Sequence, residues 1–262
     1  MRTRQRLAVV LAAVGAALVA LTVAVAAANP VVAALRKTSL AHSSVGRLSA
    51  VSNVPGVGTT TIAGKLEAQG NTAHVVMTVS SGSLHYPMEA TVLVEQGDLV
   101  LYLRSPLLKS QLPAGKKWVR IDLQKEGAKL GIDFSSLLGS PTAQSTRIVE
   151  LGVVKTTSLG HATVAGRATS HYRLRVDYDL AARRAPALRP IIAKIEQLAG
   201  ATSLKVNQDV WVGSDGRVRQ LRYTQPAVSN GIHSTTTQTI TFLAYNVPVK
   251  IAAPPASLVY SP

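Results

Sequence analysis

Between Thr72 and Val79 the chain alternates without a break. Ala73, Val75, Met77 and Val79 fall on one side of an extended segment, and Thr72, His74, Val76 and Thr78 fall on the other. A period of two marks a β-strand with one face buried and the other wet. The same pattern recurs at Thr59–Ala68 (Ile62, Leu66), at Glu89–Glu95 (Val92 and Val94 against Glu89, Thr91 and Glu95), at Asp98–Arg104 and at Lys117–Leu123 (Trp118 opposite Val119, Ile121 and Leu123). It returns at Ser170–Asp179, where Tyr172, Leu174, Val176 and Tyr178 oppose His171, Arg173, Arg175 and Asp177, and at Thr239–Asn246 with Ile240, Phe242 and Ala244. The stretch Asn207–Gln225 reads as a hairpin: Val210-Trp211-Val212 runs into Gly213-Ser214-Asp215-Gly216 and returns through Val218, Leu221 and Tyr223. Asp-Gly supplies the positive φ angles of a tight turn, and Gln96-Gly97 makes a second such turn. Strands joined by short glycine turns run antiparallel.

Helical spacing interrupts this pattern in a few places. A weak signature covers Leu35–Val45 with Leu40 and Val45. Leu130, Phe134, Leu137 and Leu138 form a stripe, and Thr142–Thr157 carries Ile148, Leu151 and Val154. Leu188, Ile191, Ile192, Ile195 and Leu198 form another, with Pro186 and Pro190 early and Gly200 at the C-cap. Short amphipathic helices must bury their stripes. The two middle ones are expected to close over one face of the sheet. The chain ends in a proline-rich tail, Ala253-Pro254-Pro255-Ala256. No second domain or repeat is evident, and 262 residues suit one α+β domain preceded by a leader.

That leader is an uncharged run from Leu7 to Leu35 behind Arg2, Arg4 and Arg6. A positive start followed by an apolar core is an export signal, with A-x-A cleavage sites at Ala24/Ala26 or Ala26/Ala28. The run is also long enough for an uncleaved anchor with its arginines in the cytoplasm. Both readings stay open, and residues 1–28 are assigned to a signal peptide or N-terminal membrane anchor. Either way residues 29–262 are expected outside the cytoplasm, secreted or membrane-anchored. Without the three arginines, 25 basic residues face 13 acids, a formal +12. Such a surplus favours polyanions such as lipid headgroups or wall polymers, as well as plain solubility. Export, and the lack of aromatics interleaved with the cations, argue against nucleic acid.

Candidate chemistry is sparse. There is no cysteine, hence no disulfide, thiolate metal site or lipid-modified cysteine. The chain lacks G-x-S-x-G, H-E-x-x-H, a Walker loop and G-x-G-x-x-G, and Gly56-Val57-Gly58 leads into a strand rather than a phosphate-holding helix. The six histidines, His42, His74, His85, His161, His171 and His233, are scattered, with none at metal-ligand spacing. Asp177 and Asp179, two apart on one strand face, read as a solvent edge. No catalytic residue, metal or cofactor is expected. The apolar faces are either a filled core or the wall of an acyl-chain cavity, since both have the same period.

Four segments carry a resemblance. They are Lys116-Lys117-Trp118-Val119-Arg120-Ile121-Asp122-Leu123, Gly160–Asp177, Asp209–Arg222, and Tyr245-Asn246-Val247-Pro248-Val249-Lys250-Ile251-Ala252-Ala253-Pro254-Pro255. In this order, across most of residues 36–260, the chain resembles the LolA/LolB lipoprotein-carrier superfamily, and more closely the LppX, LprA, LprF and LprG group of actinobacterial lipid-binding envelope proteins. The resemblance implies a single curved antiparallel sheet, a half-barrel wrapped on a few helices. It also implies a hydrophobic cavity, non-catalytic binding and transport of lipids, glycolipids or lipoproteins, and no cofactor. Its partners would be a lipid or acylated ligand and a membrane surface or anchor through residues 7–28. A protein partner is left open. The missing lipobox cysteine departs from the lipoprotein members. With that cavity in view, alternation nominates Val75, Met77, Val92, Val94, Leu174, Val176, Ile240 and Phe242 as facing it. The competing expectation is an envelope sensor or interaction module with a filled core, docking a protein or an anionic wall polymer.

Overall fold

A computed structural model describes residues 29–54, 58–129, 148–229 and 232–262. The expectations placed on the leader 1–28, on the stripe Leu130–Leu138, on Pro55-Gly56-Val57 and on residues 142–147 lie outside the described residues. Six strands form a first meander: β1 (Ser43–Val54), β2 (Gly58–Gln69), β3 (Thr72–Ser81), β4 (Leu84–Glu95), β5 (Asp98–Arg104) and β6 (Trp118–Asp122). Five more form a second: β7 (Val153–Val164), β8 (Arg167–Asp177), β9 (Lys205–Gly213), β10 (Val218–Ser229) and β11 (Ile232–Tyr245). The meanders join where β1 pairs antiparallel with β11, for example Leu48 with Ile240. A short β12 (Val259–Tyr260) adds in parallel to β6. The result is one open, curved sheet in the order β12-β6-β5-β4-β3-β2-β1-β11-β10-β9-β8-β7, the expected α+β half-barrel.

Neighbouring strands approach closely where side chains are missing. At Gly64 on β2 an added Cβ would lie 2.6 Å from the Val76 carbonyl oxygen and 2.7 Å from Met77 Cβ. At Gly46 on β1 it would lie 2.7 Å from the Thr241 carbonyl oxygen. A bulge at Val45/Gly46 adds local twist. Glycine at such points lets neighbouring strands approach and the sheet curl. The β4–β5 turn takes positive φ at both Gln96 (52°) and Gly97 (92°), as a type I′ hairpin turn requires.

Helices flank the sheet. Helix α1 (Pro30–Ser39) is capped by Asn29, whose side chain accepts from the Val31 amide, and has Pro30 in its first turn. It buries Val31, Val32, Ala34 and Leu35, and Thr38 Oγ1 accepts a 2.9 Å hydrogen bond from the Val218 amide of β10. Helix α2 (Leu123–Lys129) leaves β6 beside β5. Helices α3 (Tyr178–Arg184) and α4 (Arg189–Ala199) enclose a small second core of Ile148, Ala181, Ala182, Leu188 and Ile192. Gly200 ends α4 in the left-handed region at φ 64°.

Several sequence expectations need correction. The first helix lies at Pro30–Ser39 rather than Leu35–Val45; Leu40 is 73% exposed and Val45 is in β1. Helical residues 148–152 give way to β7 at Val153, so Val154 belongs to a strand. At the other end of the fold, Tyr178 starts a helix instead of ending a strand. Asp177 caps it by accepting from the Leu180 amide at 2.9 Å, and Asp179 lies in its first turn and accepts from Ser203, so the pair is no strand edge. The hairpin reading of Asn207–Gln225 stands: it is the antiparallel pair β9 and β10, inside the sheet.

Candidate functional site: an apolar inner face

Alternation sends one face of every long strand inward. Leu48 and Ala50 of β1, Ile62 and Leu66 of β2, Met88 and Ala90 of β4, Leu101 and Leu103 of β5, and Val210 and Leu221 of β9 and β10 join one continuous apolar cluster. Each large side chain withdrawn there contributes about 1.5–3 kcal/mol. Of the eight nominated positions, Val75, Met77, Val92, Leu174, Val176, Ile240 and Phe242 are buried members of this cluster. Val94 shares their strand parity but is 39% exposed, at the rim beside the β4–β5 turn. The positions stand on two separate arcs, β3–β4 and β8 with β11, with β1 and β2 between them.

The inner face has a polar margin at each end. Where β1 and β3 finish, Thr236, Ser52, Thr60 and Ser81 form a cross-strand row over β11, β1, β2 and β3. Thr236 Oγ1 donates to Ser52 Oγ at 3.1 Å, and Thr60 Oγ1 donates to Ser81 Oγ at 3.3 Å. This row went unread in the sequence, although its signal is there: a hydroxyl residue at the same parity on each of four adjacent strands. At the other end, Arg219 is 6% exposed and donates to Asp215 at 2.7 Å; its guanidinium and that of Arg217 lie 5.4 and 5.7 Å from the Tyr245 ring centroid. Between the margins, the Tyr223 hydroxyl donates to the buried Gln238 amide oxygen. Burial raises the Tyr223 and Tyr245 phenols above the usual range and pushes that of Tyr178 up to about 12, so the phenols stay neutral.

Potentially reactive groups lie elsewhere. His74 Nε2 is 3.1 Å from Glu89 Oε1, and His85 Nδ1 is 2.8 Å from Ser80 Oγ. His171 stacks on Trp211 at 4.1 Å with its Nε2 3.7 Å from Asp209. All three histidines point from the outer face, away from the apolar cluster. Among the described residues no three His, Asp or Glu side chains could hold a metal. A half-open hollow of about 180 Å³ between α3 and α4, lined by Asp179, Ala182, Arg183, Arg189, Ile192, Ala193 and Glu196, is smaller than the ~300–1,000 Å³ of ordinary ligand sites. No helix among the described residues is long and apolar enough to cross a membrane.

No protein-family model matches the chain, and no curated protein matches it. Solved structures do. The chain is similar to LprF from Mycobacterium bovis, with 13% identity over 85% of this chain and 93% of that one and a TM-score of 0.44. It is also similar to the lipoprotein LppX of Mycobacterium tuberculosis, with 12% identity, 90% and 98% coverage and a TM-score of 0.45. A LolA superfamily protein from Nitrosomonas europaea follows at 11% identity, 80% and 89% coverage and 0.29. LprF and LppX bear names of the group given above, and the third bears the name of the superfamily.

Proposed function

We propose that residues 29–262 form a non-catalytic lipid-binding domain that works outside the cytoplasm and carries lipids or acylated molecules in the cell envelope. One observation carries this reading: an unbroken aliphatic inner face on a curved sheet, built from Val, Leu, Ile, Met and Ala side chains on at least eight strands. The described helices stand over its flanks, α1 against β9 and β10 and α2 against β5 and β6. Flexible aliphatic walls accommodate acyl chains better than rigid aromatic ligands. Hydroxyl and arginine margins at the two ends offer hydrogen bonds to a polar head.

Thermal unfolding with added lipid tests the proposal. A lipid held at one hundred times its Kd stabilises by about 2.7 kcal/mol, which is about 5–11 °C in Tm for a domain of this size. Ala50→Phe and Ala90→Phe place rings on the inner face and should abolish that shift. A domain whose melting does not respond to phospholipid, glycolipid or acylated peptide is not a carrier. Close packing favours one second reading, an interaction module with a filled core: the nominated side chains other than Val94 are all 7% exposed or less. In that case the two Phe variants lower Tm with no lipid effect to lose.

A further inference from the structure

The outer face divides into two halves with different charge logic. On β3–β6 the charges are matched: Arg104 meets Glu89 at 2.6 Å, His74 meets the same Glu89 at 3.1 Å, and Arg120 meets Glu95 at 3.2 Å. From β7 to β2 they are not. Here Arg47 stands directly opposite Lys65 across β1 and β2, and Lys155 directly opposite Arg175 across β7 and β8. Like charges facing each other across strands are destabilising. Arg222 lies between these pairs, opposite Asp209 and Thr239. Two acids of this half, Asp209 and Asp177, are already engaged. Asp209 takes a two-pronged contact from Arg173 at 2.7 and 3.0 Å, and Asp177 caps α3 and meets Lys205 at 3.6 Å. Glu67, two residues beyond Lys65, makes no ion pair with it among the described residues. Arg47, Lys65, Lys155, Arg175 and Arg222 are all exposed, and among the described residues none has an ion-pair partner.

Register turns these five cations into a track. Lys155 and Arg175 occupy one cross-strand row, Arg222 the next, and Arg47 with Lys65 the third. The track therefore runs diagonally over seven strands, about 29 Å at ~4.8 Å per strand. Thr239, Ser49 and Thr241 supply hydroxyls along it. We propose that this diagonal cationic band on the convex face binds a flexible polyanion, a phosphodiester or polyphosphate-like chain, separately from whatever the inner face holds. Curvature decides between polymer and bilayer: side chains six strands apart on a convex sheet diverge, so a flat membrane touches part of the band and a flexible chain follows all of it.

The test uses the full chain in a non-ionic detergent with long-chain inorganic polyphosphate as the probe, titrated at several salt concentrations. Wild type should bind with log K falling linearly against log salt. Arg47→Thr with Lys65→Thr should flatten that slope by about 1.4, two contacts at ~0.7 each, and weaken binding about 25-fold at 0.1 M salt. Arg183→Gln with Arg189→Gln removes the same charge from α3 and α4 and should leave both values near wild type. The proposal is overturned if the two double variants behave alike, because net charge then suffices. It is equally overturned if mixed micelles carrying phosphatidylglycerol displace polyphosphate at matched phosphate concentration, because the partner is then a headgroup plane. Loss of lipid binding at the inner face would leave these outcomes unchanged, so the two proposals fail separately.

Discussion

Gly64→Ala is the smallest change that probes how the sheet acquires its curve. On an unstrained strand, replacing glycine by alanine stabilises by about 0.5–1 kcal/mol, because the unfolded chain loses freedom. Here the new methyl would sit 2.6 Å from the Val76 carbonyl oxygen, 2.7 Å from Met77 Cβ and 2.9 Å from Met77 Cα. Two of these three atoms are backbone, so no rotamer change relieves the contact, and β2 and β3 must separate. Overpacking of this kind costs about 1–3 kcal/mol. The net effect is a destabilisation of about 1–2 kcal/mol, or about 2–8 °C in Tm. Thermal unfolding followed by circular dichroism measures it, and Gly64→Val should fall further. A Tm that rises, as at an ordinary strand glycine, would show that β2 and β3 do not approach this closely. The tight curl at the centre of the inner face would then be wrong.

Asp177→Ala should cost about 0.5–2 kcal/mol by removing the cap of α3, read from the shift in the midpoint of urea unfolding. Trp118 is 6% exposed and packs with Val100, Tyr102, Leu258 and Val259, so Trp118→Ala should cost about 3–5 kcal/mol and free the C-terminal segment. Faster amide exchange at Val259 and Tyr260 is the expected sign, and unchanged protection there would contradict it. Tyr178, Tyr223 and Tyr245 have folded pKa values raised above their unfolded value of 10.0 by burial. Their neutral forms are therefore favoured on folding; that stability is complete below about pH 10 and drains as pH climbs through the folded values, about 12 for Tyr178. Tyrosinate absorbance from these three should rise together with the loss of sheet structure, and an earlier rise in the still-folded protein would contradict their burial.

Strands were legible wherever one face was wet, because alternation then has contrast; Ala73–Val79 and Tyr172–Val176 were assigned to the correct faces. Where the pattern failed, local chemistry was competing with it. Alternation runs on into Tyr178, yet the Asp177 carboxylate captures the Leu180 amide and starts a helix. Asn29-Pro30 is a helix start hidden inside an apolar run that also reads as a leader. Gly152 marks another boundary, since a Cβ there would lie 2.6 Å from the Asp177 carbonyl oxygen. The pairing of β1 with β11 is long-range and leaves no local trace, so the joining of the two meanders was not readable. Of the candidate site, the direction of the side chains was legible. Their enclosure was not: Val94 has the parity of Val92 but lies on the rim, which is a matter of strand length and neighbours rather than period.

Mass spectrometry of an organic extract tests the lipid-binding claim most directly. The chain from residue 29 onward would be exported by a bacterial host, purified without detergent and weighed before and after extraction. Acyl lipid should co-purify at close to one molecule per chain, and at less in Ala50→Phe and Ala90→Phe. An intact mass equal to that of the bare polypeptide, with an extract free of lipid, would contradict it.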